Sequence, residues 1–128
     1  MKKDKDKSRK ISNLEISFYE NILKERPDFV GALISLGDAY TRKGLYTQGL
    51  VVDKKLVSLK PDDPVIHYNL ACSLSLTGKP KQAINELKKA VLLGYDDFAY
   101  ILEDADLENV RGLKEFIVFY QKLKNIEK

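Results

Sequence analysis

His67 and Cys72 are the only histidine and the only cysteine in the chain, and both fall in HYNLACSLSLTGKPKQAINELKKA, residues 67–90. An imidazole beside a thiol makes a nucleophile–base pair or half of a metal site. The spacing argues against both. At about 100° per residue, helical positions five apart point about 140° away from each other, so the two side chains cannot readily converge. His67 is expected to pack in the core. Cys72 is expected to be a small neutral groove residue rather than a reactive thiol, because no lysine, arginine or helix start is placed to activate it. The carboxylates Glu103, Asp104, Asp106 and Glu108 form the other candidate cluster. Carboxylates attract divalent cations, but this run lacks the glycine-centred order of a calcium loop and reads as a solvated turn. Glycine-rich phosphate loops, paired histidines and paired cysteines are missing from the sequence. The expectation is a non-enzymatic protein with no catalytic residue, no metal and no cofactor.

The elements that carry these residues repeat. Pro27, Pro61 and Tyr95 are 34 residues apart, and Asp28, Asp62 and Asp96 follow in phase. Leu36 and Leu70 share a phase, as do Gly37, Ala71 and Ala105, then Gly44, Gly78 and Gly112, then Gly49 and Ala83. Such a period marks an array of supersecondary units. Within each unit a first helix starts after the Asp, whose side chain can cap free amides. Leu33, Leu36, Gly37 and Tyr40 stand at i, i+3, i+4 and i+7 on one buried face. Gly44 suits the left-handed residue that closes a helix. A second helix over about 45–59 carries Gly49 for close approach, and Pro61 stops it because proline lacks the amide hydrogen. Residues 64–93 repeat the plan through His67, Leu70, Ala71, Leu74, Gly78, Ala83, Ile84, Leu87, Ala90 and Val91. One position breaks the pattern: Asp53 stands where Leu87 stands in the next unit. It is expected at the edge of the interface, reaching water or a hydroxyl of Tyr19 or Tyr40; a buried carboxylate is the alternative.

With Leu33, Leu36-Gly37, Tyr40, Gly44, Gly49 and Pro61 in one unit and His67, Leu70-Ala71, Leu74, Gly78, Ala83, Leu87 and Ala90 in the next, the chain resembles the tetratricopeptide repeat family. The resemblance implies an all-α fold of stacked antiparallel helix hairpins, an α-α superhelix. Its divisions are a basic flexible tail over 1–10 and one domain over 11–128, made of a half repeat (11–27), repeat 1 (30–63), repeat 2 (64–97) and a degenerate closing repeat (98–128). The closing text GYDDFAYILEDADLENVRGLKEF looks like that of many bacterial members, with Asp104 where Leu belongs. In this family the first helices line a concave groove that binds extended peptides or helices. By phase that groove presents Gly31, Ile34, Asp38, Thr41 and Arg42, then Val65, Tyr68, Asn69, Cys72, Ser75 and Leu76. Tyr68 is the expected anchor, being large, semi-rigid and able to hydrogen-bond. Of the residues with which some members clamp chaperone-tail carboxylates, only Asn69 is matched here; Ile34, Asp38, Ala99 and Glu103 occupy the other positions.

Charge and composition bound the partners. The net charge is +3, yet residues 1–10 alone hold six cations against two aspartates, so the remaining chain is close to neutral. A basic stripe for nucleic acid is not indicated on the folded part; an RNA-associated tail is the third reading. The chain has neither an apolar run long enough for a membrane span nor a secretory h-region, and a lone cysteine fits a cytoplasmic setting. The expected partner is a protein or peptide. Self-association as a homo-oligomer is the second reading, because the last helix (about 113–126) has a wide apolar arc of Leu113, Phe116, Ile117, Val118, Phe119, Tyr120, Leu123 and Ile126.

Overall fold

In the computed structural model the backbone is described for residues 2–127 and the side chains for 13–126. The helices are α1 (Lys2–Glu25), α2 (Val30–Lys43), α3 (Tyr46–Leu59), α4 (Pro64–Leu76), α5 (Pro80–Leu92), α6 (Phe98–Glu103), α7 (Glu108–Arg111) and α8 (Lys114–Glu127), with a 3₁₀ turn at Ala105–Leu107. Among the described residues there is no strand, and no helix is long and apolar enough to cross a membrane. The architecture is all-α and built of consecutive helix hairpins, as the 34-residue period implies. Contacts divide it into two compact units, one ending at Lys60 and one starting at Pro61. The α1 backbone begins at Lys2; the side chains of the expected basic tail, 1–10, lie outside the described residues.

In the first unit α2 packs against both α1 and α3. It buries Ala32, Leu33, Leu36, Gly37, Ala39 and Tyr40, the face expected from the i, i+3, i+4, i+7 spacing. Gly49 allows the close approach expected of it: a Cβ there would lie 3.3 Å from Thr41 Oγ1 and 3.8 Å from the Gly37 carbonyl. Asp53, expected at the interface edge, is buried. The physical reason is Gly37, whose missing side chain leaves room for the carboxylate; a Cβ on Gly37 would stand 3.2 Å from Asp53 Oδ1. The Tyr40 hydroxyl donates instead to Glu20 Oε2 on α1, at 2.6 Å. Gly44 closes α2 at φ 85° with its N–H on the Thr41 carbonyl, the left-handed cap the sequence calls for.

The helix starts differ from expectation by one residue. Asp63 caps α4, accepting from the Val65 and Ile66 amides, and Asp97 caps α6 through the Tyr100 amide. Pro64 at the first helical position pre-sets φ, which makes Asp63 rather than Asp62 the cap. The same phase in the first repeat is Phe29, which offers no cap bond, and Asp28 pairs with Lys55 at 3.3 Å.

In the second unit α4 is buried almost all round, through Ile66, His67, Tyr68, Leu70, Ala71, Cys72, Ser73, Leu74 and Ser75. A helix wrapped on every side has neighbours on every side. On one side α5 supplies Ala83, Ile84, Leu87 and Ala90. On another, the 3₁₀ turn and α7 contact α4. The closing segment is not one long helix: α6 ends at Glu103, and Asp104 restarts the chain as the cap of the 3₁₀ turn, accepting from the Asp106 amide. Gly112, in phase with Gly44 and Gly78, has φ −81° where Gly78 has 76°; the broken helix ends without needing a left-handed residue. In α8, Phe116, Phe119 and Leu123 are buried and Ile117, Val118 and Ile126 are exposed.

Candidate functional site

Of the expected groove residues, those on α2 remain accessible. Gly31, Ile34, Asp38 and Arg42 are exposed and Thr41 is half-buried, its hydroxyl donating to the Gly37 carbonyl at 3.1 Å. Ile34 is 41% exposed, high for an isoleucine on a packed helix. Arg42 links Asp38, at 3.0 Å, to Glu15 of α1. Its guanidinium is raised further above its usual range, first by the hydrogen bond to Glu15 and then by Asp38, with burial opposing. The α2 surface is thus an apolar side chain next to a fixed acid–base–acid row.

The α4 residues divide. Val65 is 54% exposed, while Asn69 and Leu76 are half-buried. Tyr68, Cys72 and Ser75 are buried, so the expected anchor is not presented to a ligand. Its hydroxyl donates to Asp104 Oδ2 at 2.6 Å, and its ring stacks on Tyr95, centroids 4.3 Å apart and planes 4° from parallel. Tyr100 closes from the side at 6.3 Å. Burial, then the bond to Asp104, pushes the Tyr68 phenol well above its usual range. Tyr95 is pushed up to about 12, chiefly by burial.

Asp104 is therefore no solvated residue, as the carboxylate run suggested, but a buried acceptor. One oxygen takes the Tyr68 hydroxyl and the Cys72 thiol, at 3.6 Å, and the other takes the Asp106 amide. Arg111 completes the tie, donating to the main-chain carbonyls of Ile101 and Asp104. Asn109 donates to the Ser75 carbonyl at 3.1 Å. A leucine at 104 keeps the main-chain carbonyl but offers neither carboxylate acceptor, so the departure from the repeat is what ties the closing segment to Tyr68 and Cys72 of α4. Cys72, Asp104 and Asp106 also bring three metal-capable atoms within 4.8 Å of one another. Both Asp104 oxygens are engaged as acceptors, and three donors are one short of a closed tetrahedral set.

His67 and Cys72 do not meet. His67 is buried, with Nε2 2.6 Å from the Pro61 carbonyl and Nδ1 2.9 Å from Glu86 Oε2. A carbonyl can only accept, so Nε2 donates and the ring is fixed. Glu86, which also faces Lys89 at 3.4 Å, carried no signal as a partner in the repeat pattern. Tyr95 did carry one, standing in phase with Pro27 and Pro61, although its ring contact with Tyr68 was not foreseen.

A family model described as "Tetratricopeptide repeat" matches residues 65–93. Over 83 residues the chain is 34% identical to Tetratricopeptide repeat protein 13 of Homo sapiens, covering 61% of this chain and 10% of that protein. It is 31% identical over 83 residues to a chloroplastic protein of Arabidopsis thaliana, covering 62% of this chain and 25% of that protein. The chain thus spans between a tenth and a quarter of the length of these curated relatives. Among solved structures, "MamA RS-1 ArsTM double mutant" superposes with a TM-score of 0.65 at 19% identity, covering all of this chain and 79% of that one; at that identity the likeness is one of fold. The repeat phase, the paired helices and the matched segment agree: residues 65–93 form a tetratricopeptide repeat within an all-α array of helix hairpins.

Proposed function

We propose that this protein is a non-enzymatic interaction adaptor that holds a peptide segment of a partner protein against the exposed face of α2. The observation that carries the reading is Ile34, 41% exposed beside the Asp38–Arg42 pair. An apolar contact flanked by fixed polar groups is the arrangement a protein partner can bury without leaving charges unpaired. Asp38 with Arg42 offers one acid and one base, which suits a weakly charged or amphipathic segment. In the second unit, α4 keeps Val65 and Asn69 accessible in place of Tyr68. A face of this size sits at or below the low end of interface areas, roughly 1,200 Å² in total, and modest affinity is expected.

The test is a crosslinking pull-down from native lysate read by mass spectrometry, comparing the wild-type chain with Ile34→Glu and with Val51→Glu, a control at a still more exposed valine on α3. Partners that depend on α2 are lost with the first variant and kept with the second. Undiminished capture of every native partner by Ile34→Glu rejects the site. Self-association is the second reading, favoured by Ile117, Val118 and Ile126 exposed on α8. Light scattering that finds a monomer at high concentration eliminates it.

A further inference from the structure

We infer that the cleft between α5 and α8 is a second binding site, built for an acidic amphipathic peptide segment of another protein. The cleft is a concavity of about 310 Å³ lined by Lys88 of α5 and by Lys114, Glu115, Val118, Phe119 and Lys122 of α8. Its place follows from the spacing on α8. Lys114, Val118 and Lys122 stand four apart and so form one row, with Glu115 and Phe119 in the next. Phe119, buried, is the floor; Val118, 44% exposed, is the wall. Three ammonium groups rim this apolar surface from two helices, and none of the three is held in an ion pair among the described residues. One carboxylate against three lysines leaves the rim with a surplus of two positive charges.

Charge complementarity selects the occupant. An apolar side chain set on the Val118–Phe119 surface brings the residues around it to the rim, where carboxylates meet Lys88 on one side and Lys114 and Lys122 on the other. A second copy docking face to face sets two positive rims against each other, which opposes that contact. A lipid surface is flat, whereas this apolar floor is recessed between two helices. The volume stands at the low end of ligand pockets, roughly 300–1,000 Å³, which is room for one or two anchoring side chains. This site is distinct from the α2 face and does not depend on it.

The probe is a fluorescein-labelled peptide of about fifteen residues, long enough for a nascent helix, with Leu and one Phe on one face and Glu on the other. Its control has Gln for every Glu. Titrated into the full chain, the acidic peptide is expected to bind, more weakly as salt is raised. Amide shifts should cluster at Lys88, Lys114, Val118 and Phe119. Lys114→Glu with Lys122→Glu should weaken binding at least about tenfold, and Val118→Asp should do likewise. Because all three residues are exposed, the variants keep the fold, checked by circular dichroism; Ile34→Glu leaves this binding unchanged. Equal binding of the Gln peptide, shifts that map elsewhere, or insensitivity to the lysine reversals overturns the site. So does preferential binding to phosphatidylserine vesicles through the same lysines, or a dimer in sedimentation that Lys114→Glu with Lys122→Glu disperses.

Discussion

Replacing Asp104 by leucine restores the residue type that Leu36 and Leu70 hold in the other two repeats. A consensus argument expects such a change to stabilise; the structure predicts the reverse. Asp104 is 7% exposed, and its carboxylate accepts the Tyr68 hydroxyl at 2.6 Å. A hydrogen bond to a charged group is worth about 1.5–3 kcal/mol. Losing the cap on the Asp106 amide, at 3.0 Å, costs about 1 kcal/mol more. Leucine returns about 1.5–2 kcal/mol through its own burial, so Asp104→Leu should destabilise by about 2 kcal/mol once the stranded Tyr68 hydroxyl is included. With a urea slope of about 2 kcal/mol per molar, the midpoint falls by about 1 M. Tyr68→Phe in the leucine background removes the stranded hydroxyl and should recover part of the loss. The same change in the wild-type chain should cost about 1.5 kcal/mol, so one substitution has opposite signs in the two backgrounds of a double-mutant cycle. A leucine variant that unfolds at the wild-type midpoint or above it refutes the view that Asp104 fastens the closing segment.

His67→Leu, the swap that matches Leu33, should destabilise by about 2–3 kcal/mol in urea, because it strips a partner from the Glu86 carboxylate, 12% exposed. Glu86→Gln, which keeps a polar group at that place, should cost less. Gly44→Ala and Gly112→Ala should have opposite effects on the thermal midpoint although the two glycines share a repeat phase. Gly44 has φ 85° and should lose about 1 kcal/mol, whereas Gly112 has φ −81° and open space around its Cβ direction, for a gain of about 0.4–1 kcal/mol. Alkaline pH should unfold the protein: burial and the Glu20 bond push Tyr40 up to about 12, burial pushes Tyr95 up to about 12, and Tyr68 is raised as well. The folded chain keeps protons that an unfolded tyrosine releases near 10, so this stability is complete below pH 10 and is lost as pH rises through about 12. Urea midpoints measured across that range, with tyrosinate absorbance, should fall steeply, and Tyr40→Phe should flatten part of the slope.

What the sequence made legible was whatever repeats. A 34-residue period places Gly44, Gly49 and Pro61 because each serves the backbone, and backbone demands recur from one hairpin to the next. The face of α2 follows for the same reason: apolar spacing alone decides which residues turn inward. The α4 site was misread because periodicity carries a residue's position and not its neighbours. Tyr68 shares its phase with Ile34, and by phase both face outward. Ile34 stays exposed, while Tyr68 is covered by Tyr95, Tyr100 and Asp104, and no rule of helical spacing says that a following segment will break after Glu103 and fold onto α4.

The residues that mark this event are the ones that violate the repeat. Asp104 in a leucine position, Tyr95 in a proline position and Asp53 in a leucine position each depart from the residue type of their phase. Two of the three are the parts that hold the closing segment, and the third fills the space Gly37 leaves. A polar or aromatic residue in an apolar repeat slot survives only if some specific partner satisfies it. In such arrays a break in the period is thus a pointer to a tertiary contact outside the period. Lys88 and Lys122 do keep the period, in phase with Lys54, yet with Lys114 they have no internal ion-pair partner among the described residues. That is why the α5–α8 cleft, rather than the tyrosine stack, is where a second partner should be sought.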